Sequence, residues 1–465
     1  MTLDRRSLLS ASLGAGVGAG LLSIPVAHAA AAAPQPAKSP VDRTGIARAA
    51  GTALDALQPN SGGDQTAVLQ RLIDDAAARG TELVLPPGRF RSGRLTLRPG
   101  TRVSGCGAAT ILEAAAGPTL LNSDAAHDIV VTDLTLDGGH IPAGAGASAG
   151  LVSLKSSRNI LLANLEIRSA GAHAILLDGC GGRVTHCRVA DAADAGIHAN
   201  DSTGLTVAMN EITDCGNNGI QVWRSRPGED GTQVIANHIA RIAAHGGGNG
   251  QNGNGINVYR ADGVSVTDNR ITDCAYSAIR GNAASNIQIV SNSCQRLGEV
   301  AIYAEFGFAG AVIAANIVDV AATGIAVTNF DVGGRLAVIQ GNLIRNLVRR
   351  EHEPADKRGE GIAVEADATI TGNTIEGAPT AGIVIGWAKY MRDCVASGNL
   401  IRNSRIGIMV SSDTGAGAAF VTSNMISGAT DGAIRAMTRG TAHGPDLALT
   451  TTETPRIRII ANMAV

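Results

Sequence analysis

From Asn164 onward the sequence repeats one pattern, in which an Asn-x-Ile-like step is followed by a variable stretch and then by Gly-Ile-x-Val. Asn210-Glu-Ile precedes Gly219-Ile-Gln-Val, and Asn316-Ile-Val precedes Gly324-Ile-Ala-Val. Successive asparagines of this kind are 23 to 32 residues apart. A single unit of this length cannot bury its own apolar side, so neighbouring repeats must stack on one another. The pattern therefore predicts a solenoid.

Within each repeat, short segments alternate apolar and polar residues and are separated by Gly, Asn and Asp. This period of two predicts β-strands, and the lack of a helical period between them excludes βαβ units. Leucine-rich repeats would need a Leu lattice that is absent, and propeller blades need longer repeats with four strands. The predicted fold class is all-β, a single-stranded parallel β-helix whose tube is filled by Ile and Val and whose Asn side chains form a ladder at one turn.

The two ends of the repeat array carry different sequences. Residues 64–80 predict an N-terminal capping α-helix, because five apolar residues fall on one helical face and Gly80 ends it. Those five are Val68, Leu69, Leu72, Ile73 and Ala76. After Gly440 the repeat is lost, so residues 440–465 are expected to cap the far end, with 450–462 as one last coil. The β-helix domain is predicted to span residues 44–465.

The N-terminus has the three parts of an export signal in the expected order. Arg5-Arg6 is followed by a Gly/Ala/Leu-rich stretch over residues 8–26 and by Ala27-His28-Ala29. Residues 1–29 are therefore interpreted as a twin-arginine signal peptide, and the Ala/Pro-rich residues 30–43 as a linker. The expected partner of the precursor is the twin-arginine export machinery, and the expected location is the periplasm or the extracellular space. The alternative is an uncleaved membrane anchor, but the mature chain is not expected to span a membrane.

The charge balance limits the classes of binding partner, and the cysteine content bears on disulfide formation. The 38 Lys and Arg residues balance 40 Asp and Glu residues, and a net charge of −2 gives no basis for nucleic-acid binding. The seven cysteines are an odd number and form no Cys-x-x-Cys motif. Because twin-arginine substrates fold before export, free and mostly buried thiols are expected.

The beginning of the repeat array resembles a known family. The predicted helix is followed by Leu85-Pro-Pro-Gly-Arg-Phe90 and by Gly100-Thr-Arg-Val-Ser-Gly105, which is similar to the start of pectate-lyase-like right-handed β-helix proteins. With its leader, the whole chain resembles the twin-arginine-translocated repeat proteins of bacteria. The resemblance implies a right-handed coil. It assigns no catalytic residue, because the Gly-His-Gly of polygalacturonases and the Asp-Pro-His of alginate epimerases are absent.

The repeat also predicts which side chains face outward. If the repeat isoleucine points inward, alternation places the residues one and three positions later on the outside. From Asp178 to Glu305 these outward residues are polar, charged or aromatic, whereas beyond Ala326 they are mostly small or apolar. Trp223 and Tyr259 are expected to lie about 5 Å apart on adjacent coils and to form a flat platform for a sugar chain.

A polysaccharide is therefore the predicted ligand, along the face between residues 198 and 305. Insertions at 245–254 and 349–360 are expected to overhang this face as mobile lips. The predicted substrate-binding residues are His198, Gln221, Trp223, Asn257, Asn282 and Glu305.

Arg280, Tyr259 and Tyr303 are the candidate catalytic residues. When a proton is removed next to a sugar carboxylate, a cation must neutralise that carboxylate and a base must reach the proton. Arg280 suits the first role, and Tyr259, Tyr303 or His198 suits the second. The alternative is that Arg280 is a surface residue satisfied by Glu305 and Asn257. His198 is expected about 14 Å from Arg280, which is too far for both to act on one bond.

Hydrolysis needs two carboxylates that flank one bond. No acidic neighbour of Glu305 is predicted on the adjacent ladders, and Glu365 is expected two coils away, so a polysaccharide lyase or epimerase is favoured over a glycoside hydrolase. No metal or cofactor is predicted, and calcium stays open without a motif to support it. The predicted function is binding, and cleavage or epimerisation, of a uronate-containing polysaccharide. The alternative is a non-catalytic carbohydrate-binding or structural protein of the cell envelope.

Overall fold

The computed structural model describes residues 51–144, 148–247, 250–329, 333–350, 359–449 and 456–465. The predicted signal peptide (1–29) and linker (30–43) lie outside these residues. All described residues fall in one compact unit of the chain, Ala47–Val465.

The fold is a right-handed parallel β-solenoid of about 13 turns with one α-helix near its N-terminus, which confirms the predicted fold class. A typical coil contributes one strand to each of three ladders of parallel strands, here called sheets 1, 2 and 3. The long strands β4 (Arg102–Ala114) and β6 (Val130–Asp137) bend from sheet 2 into sheet 3.

Sheet 1 carries the predicted outward face. Its strands are β3 (Leu95–Thr96), β5 (Leu121–Asp124), β7 (Gly150–Lys155), β10 (His173–Asp178), β13 (Ala195–Asn200), β16 (Asn218–Glu229), β19 (Asn254–Asp262), β22 (Ile279–Asn282), β25 (Val300–Glu305), β28 (Thr323–Thr328), β31 (Glu360–Val364), β34 (Ala381–Ile385), β37 (Ile406–Ser411), β40 (Ile434–Thr438) and the antiparallel β41 (Thr441–Asp446).

Sheet 2 follows sheet 1 in each coil. Its remaining strands are β1 (Leu83–Val84), β8 (Ile160–Ala163), β11 (Gly182–Thr185), β14 (Thr206–Ala208), β17 (Gln233–Ile235), β20 (Ser265–Thr267), β23 (Ile287–Val290), β26 (Ala309–Ala314), β29 (Arg335–Gln340), β32 (Ala368–Thr371), β35 (Cys394–Ser397), β38 (Ala419–Thr422) and β42 (Ile457–Ile460).

Sheet 3 completes the coil. Its remaining strands are β2 (Gly88–Ser92), β9 (Glu166–Ala170), β12 (Arg188–Ala192), β15 (Glu211–Thr213), β18 (His238–Ile242), β21 (Arg270–Cys274), β24 (Ser293–Gln295), β27 (Ile317–Asp319), β30 (Leu343–Arg345), β33 (Thr374–Glu376), β36 (Leu400–Arg402), β39 (Met425–Ser427) and β43 (Met463–Ala464).

Two ladders hold the coils in register. In sheet 1, each repeat isoleucine pairs with the next, as Ile220 does with Ile256, and both are fully buried. At the turn between sheets 2 and 3, the side-chain amide of Asn316 donates to Oδ1 of Asn342 (3.0 Å) and to the carbonyl of Ile289 (2.9 Å). The same bonds recur from Asn210 to Asn462, so the predicted asparagine ladder satisfies the polar groups of this buried turn.

The N-terminal helix α1 spans Thr66–Arg79 and covers the first coil with Leu69, Leu72, Ile73 and Ala76. It ends at Gly80, whose φ of 64° is left-handed and therefore favours glycine. Short 3-10 helices lie at Gly51–Ala56 and Ala388–Tyr390. At the far end, β42 and β43 stack on sheets 2 and 3, while β41 folds back against β40.

All seven cysteines are free thiols; six are buried, and Cys106 is exposed. Burial raises the pKa of the Cys180 thiol to about 11 and that of Cys294 to about 12, so these thiols stay protonated at neutral pH. Among the described residues, no helix has the length and apolar character needed to cross a membrane.

Candidate functional site

The register of sheet 1 is the predicted one, and it forms two outward rows. In the central row, His198, Gln221, Asn257, Arg280 and Tyr303 pair on successive coils. In the trailing row, two residues further along each strand, the corresponding ladder is Asn200, Trp223, Tyr259, Asn282 and Glu305. Residues on neighbouring coils are therefore about 4.8 Å apart along the solenoid.

A third outward row, here called the leading row, lies two residues before each repeat isoleucine. It exists because the small residue between the two, Gly or Ala, faces the interior: a Cβ on Gly219 would lie 2.7 Å from the side chain of buried Ile239, and Ala174 and Ala301 are fully buried. The residue before this small residue then faces out, although simple alternation predicts the opposite. The sequence analysis missed this row, which includes His173, Asn218, Asn254, Val300, Thr323 and Glu360.

The insertion at 245–254 overhangs sheet 1 as predicted, and its described part is tied down. The side-chain amide of Asn257 donates to the carbonyls of Gly250 (3.0 Å) and Gln251 (3.3 Å), and Asn218 also donates to Gln251 (2.8 Å). Gln221 and Asn257 are each only 3% exposed. Asn257 is therefore beneath the loop and its ladder neighbour Gln221 is buried as well, so on this part of the face the trailing row is the more accessible one.

The aromatic rings of the face form a staircase, and the predicted flat platform is wrong. Trp223 and Tyr259 have ring centroids 5.9 Å apart, but their planes meet at 67°. His198 meets Trp223 at 63°, with centroids 5.3 Å apart. Edge-to-face contacts are the favoured geometry for neighbouring rings, which explains why stacked coils do not produce coplanar ones. Trp223 also donates from Nε1 to Oδ1 of Asn257 (3.3 Å).

His198 touches a second histidine at the start of this staircase. The ring centroids of His173 and His198 are 4.6 Å apart, and Nε2 of His173 lies 3.6 Å from a carboxylate oxygen of Asp194. Burial and, to a smaller extent, the neighbouring His173 lower the pKa of His198 to about 4. Burial also lowers the pKa of His173, although Asp194 opposes that shift. Both rings are therefore neutral at neutral pH.

Arg280 does not present a free cation to the outside. Its Nε lies 2.7 Å from Oε1 of Glu305 and its Nη2 lies 3.0 Å from Oε2, so the two side chains form a bidentate pair. Nη1 is 3.7 Å from Oε2 of Glu299, and Asn282 donates to Glu305 (2.8 Å). Arg280 is 8% exposed and Glu305 2%. Glu299, in the turn before β25, is an acidic neighbour that the expectation of an isolated Glu305 overlooked.

The guanidinium of Arg280 also lies over the ring of Tyr303, 4.7 Å from its centroid. Desolvation is the largest single effect and lowers the pKa of Arg280, but the charge and hydrogen bonds of Glu305, together with Tyr303 and Glu299, outweigh it and the pKa is raised. The structure thus brings Arg280, Tyr303, Asn282 and Glu305 together. Tyr259 instead lies beside Arg260, with 4.7 Å between the guanidinium and the centroid of the ring. His198 lies three coils from Arg280.

Beyond Tyr303 the outward face opens into a cavity of about 150 Å³. Its floor consists of the small residues Ala326 and Ala363 together with Val384. The rings of Tyr303 and Trp387 form its aromatic walls. Two buried carboxylate side chains, Glu360 and Glu365, flank Ala363 on the same coil. Its other lining residues are Val300, Thr323, Thr328, Val364, Gly386 and Gly440.

The apolar stretch beyond Ala326 is therefore the floor of a recess. Glu360 is in the leading row, and Glu365 accepts a hydrogen bond from the backbone N–H of Asn329 (2.7 Å). None of the described residues that line the cavity is a Lys, Arg or His. The sequence signal for this site was Trp387, the second of two tryptophans, which follows the strand β34 directly.

Both insertions approach Tyr276, which lies just before β22. The ring of Tyr276 packs against Gly253 of the first insertion, since a Cβ on that glycine would come within 2.3 Å of it. The guanidinium of Arg350, at the start of the second, lies 5.8 Å from the centroid of the same ring. Residues 351–358 of the second insertion lie outside the described residues. Over the part of the chain that the structure covers, no group of three His, Cys, Asp or Glu residues is arranged to hold a metal ion.

Comparison with known proteins places the chain in a family. The model of the right-handed beta helix region matches residues 97–239, 173–333 and 228–392, which together span more than half of the chain. The chain belongs to this family. No curated protein sequence matches it.

The solved structures with a similar fold include proteins of different kinds. The catalytic unit of a thermostable GH87 alpha-1,3-glucanase from Streptomyces thermodiastaticus has a TM-score of 0.55 at 17% identity, over 85% of this chain and 67% of that one. The N-terminal fragment of bacteriophage phi29 gene product 12 has a TM-score of 0.51 at 16% identity, over 81% of this chain and 71% of that one. At such identities the likeness shows the shared fold alone.

Proposed function

We propose that this β-helix protein binds an extended polysaccharide along the outward face of sheet 1, with one sugar ring in the cavity beside Tyr303 and Trp387. The observation that carries the proposal is this cavity, in which aromatic walls, a small-residue floor and two buried carboxylates meet. A cavity of about 150 Å³ accommodates a six-membered ring. Aromatic rings stack on the CH face of a sugar, and carboxylates accept hydrogen bonds from its hydroxyls.

The ligand is an extended chain because partly exposed aromatic residues continue away from the cavity. Trp223 and Tyr259 lie in the trailing row, and Trp223 is five coils from Glu365, about 24 Å along the solenoid. Several sugar rings fit between them. The glucanase of similar fold is by its name a polysaccharide enzyme, but the proposal rests on the cavity.

The charges of the cavity favour hydrolysis of a neutral polysaccharide over elimination or epimerisation at a uronate. Removal of a proton beside a carboxylate requires a cation to neutralise that carboxylate. Arg280, the predicted cation, is engaged by Glu305, and the cavity is lined by two carboxylate side chains, Glu360 and Glu365. A pair of carboxyl groups can instead protonate the leaving oxygen and activate water. Glu360 and Glu365 are proposed for these roles.

A panel of neutral and acidic polysaccharides tests the reaction. We expect new reducing ends from a neutral polysaccharide and no product that absorbs in the ultraviolet from polyuronates. Glu360→Gln and Glu365→Gln should each lower turnover at least a hundredfold while ligand retention in affinity gels persists. Glu376→Gln, at an exposed glutamate on sheet 3, is the matched control and should leave turnover unchanged.

Two other results point elsewhere. An unsaturated, ultraviolet-absorbing product from a polyuronate would favour the lyase and would contradict hydrolysis. Retention of a polysaccharide without any product would favour the non-catalytic carbohydrate-binding alternative. Failure to retain any member of the panel would contradict the proposed ligand class.

We further propose that the chain is exported by the twin-arginine pathway, on the basis of Arg5-Arg6 and Ala27-His28-Ala29. A folded reporter fused to residues 1–43 should appear outside the cytoplasm. Replacement of both arginines by lysine should abolish its transport. Export that persists in the double variant would contradict the pathway.

A further inference from the structure

Two outward rows of sheet 2 carry no charged residue over nine consecutive coils, from β14 to β38, and the exposed Arg335 lies before these rows, at the start of β29. Two outward rows cross these strands, and the register defines them: one from Thr206 to Phe420, the other from Ala208 to Thr422. The first row is Thr206, Gln233, Ser265, Gln288, Val312, Val338, Thr369, Val395 and Phe420, and the second is Ala208, Ile235, Thr267, Val290, Ala314, Gln340, Thr371, Ser397 and Thr422. These eighteen residues are called the neutral face.

Such a face is unusual for a protein surface. Charged residues make up 17% of this chain, so about three of eighteen positions are expected to be Asp, Glu, Lys or Arg. Charged residues occupy the same row on the coils just beyond both ends of the neutral face, Arg183 on β11 and Arg458 on β42. They are also present on sheet 3, where Arg188 and Glu211 pair on adjacent coils. Along these two rows of sheet 2, the neutrality is therefore limited to these nine coils.

The middle of the neutral face is also apolar and accessible. Val312 is 41% exposed and Val338 38% exposed, and they pair on adjacent coils. Thr369 follows Val338 in this row, and Val395 and Phe420, on the next two coils, are half-buried. Large apolar side chains aligned on an open sheet face are typical of a surface that another molecule covers.

We infer that the neutral face is the interface of a homodimer, in which two copies pack side by side about a two-fold axis parallel to the solenoid. In this arrangement each coil faces the same coil of the other copy. A charged residue near the axis would then face the same residue of the other copy, and the two like charges would repel each other. This explains why positive and negative residues are both absent along the whole length of the two rows and not only from their apolar centre. A charged partner, by contrast, would lose hydration of its charges against a face that offers no counter-charge.

The size of the face fits a small stable interface. Eight spacings between nine coils give a length of about 38 Å, and two rows with the adjoining turn give a width of roughly 15 Å. The area is on the order of 600 Å² per copy, at the lower end of the range for stable complexes. Because the interface is on sheet 2, the cavity on sheet 1 is not part of it, and the inference does not depend on the proposed polysaccharide.

The experiment uses Val312, which lies at the centre of the nine coils. Sedimentation equilibrium of the full mature chain should show a dimer that dissociates on dilution. Val312→Lys and Val312→Glu should each give a monomer, because the same charge then faces itself across the axis. Mixing these two variants in equal amounts should restore a dimer of twice the monomer mass. Ile317→Lys is the matched control, since Ile317 is also 41% exposed but is on sheet 3, and it should remain dimeric.

Each contrary outcome has a definite meaning. A wild-type chain that stays monomeric at all concentrations, or that forms trimers, would overturn the inference. Monomers that do not recombine on mixing would overturn the coil-to-coil arrangement. Far-ultraviolet circular dichroism of each variant separates loss of the dimer from loss of the fold.

Discussion

Arg280 and Glu305 are on adjacent coils of sheet 1 and form a bidentate ion pair that is almost completely buried, with N–O distances of 2.7 and 3.0 Å. The sequence places both residues on the outside, and in strand register they are. Their side chains nevertheless engage each other and the ring of Tyr303, so solvent reaches little of either. A residue that seemed available for a ligand is thus part of the structure beside the cavity.

This pair gives the first prediction. Arg280→Met should lower the free energy of unfolding by about 3–5 kcal/mol, because the Glu305 carboxylate is left buried without its counter-charge. The double variant Arg280→Met with Glu305→Met should recover most of that loss. Urea denaturation of the three proteins measures both effects. If the double variant is as unstable as the single one, the pair is not the cause of the loss.

The second prediction concerns the length of the ligand. Trp387→Ala removes a wall of the cavity and should weaken binding of short and long oligosaccharides alike by at least about tenfold, a loss of about 1.4 kcal/mol. Trp223→Ala should weaken only long ones, because Trp223 is several coils from the cavity. Isothermal titration calorimetry with oligosaccharides of increasing length distinguishes the effects of the two substitutions. Equal losses for the shortest ligand would contradict the position of the site.

The third prediction concerns pH. Burial holds the pKa of His198 near 4, below its ordinary value of 6.5, so the unfolded chain binds a proton more readily than the folded one. Stability from this group is complete above pH 6.5 and is lost as the pH falls toward 4, by up to roughly 3 kcal/mol. His198→Gln should flatten the decline in unfolding free energy over this interval. His238→Gln, at an exposed position on sheet 3, should leave the decline unchanged.

The fourth prediction concerns the asparagine ladder. Asn316 donates to Ile289 and Asn342 and accepts from the backbone N–H and the side-chain amide of Asn292. Asn316→Ala leaves these buried groups unsatisfied and should lower the unfolding free energy by about 2–4 kcal/mol. Asn200→Ala, on the partly exposed outward face, should cost less than about 1 kcal/mol. Thermal and urea unfolding of the two variants compare the sites. Equal costs would show that the ladder adds no special stability.

The repeat pattern predicted the fold, the capping helix and the pairing of the central and trailing rows of sheet 1 from His198 to Glu305. It succeeded because stacked coils repeat one local geometry, so alternation along a strand and equivalence between repeats determine the register. Prediction was incomplete where the coil departs from alternation. The inward-facing Gly or Ala before each repeat isoleucine turns the residue before it outward, which placed Glu360 at the cavity against expectation.

What this sequence determined by itself is the identity of the neighbours along each ladder, since strand pairing depends only on the order of residues within a repeat. What only the tertiary structure decided is which outward side chains are accessible. The insertion loop covers Asn257, and Glu305 engages Arg280 in an ion pair. Both contacts depend on the paths of insertions and of long side chains, which the strand period does not encode. Trp387, Glu360 and Glu365 lie around a recess that begins at Tyr303. The candidate site therefore starts at the end of the polar stretch that the sequence singled out and extends up to three coils beyond it.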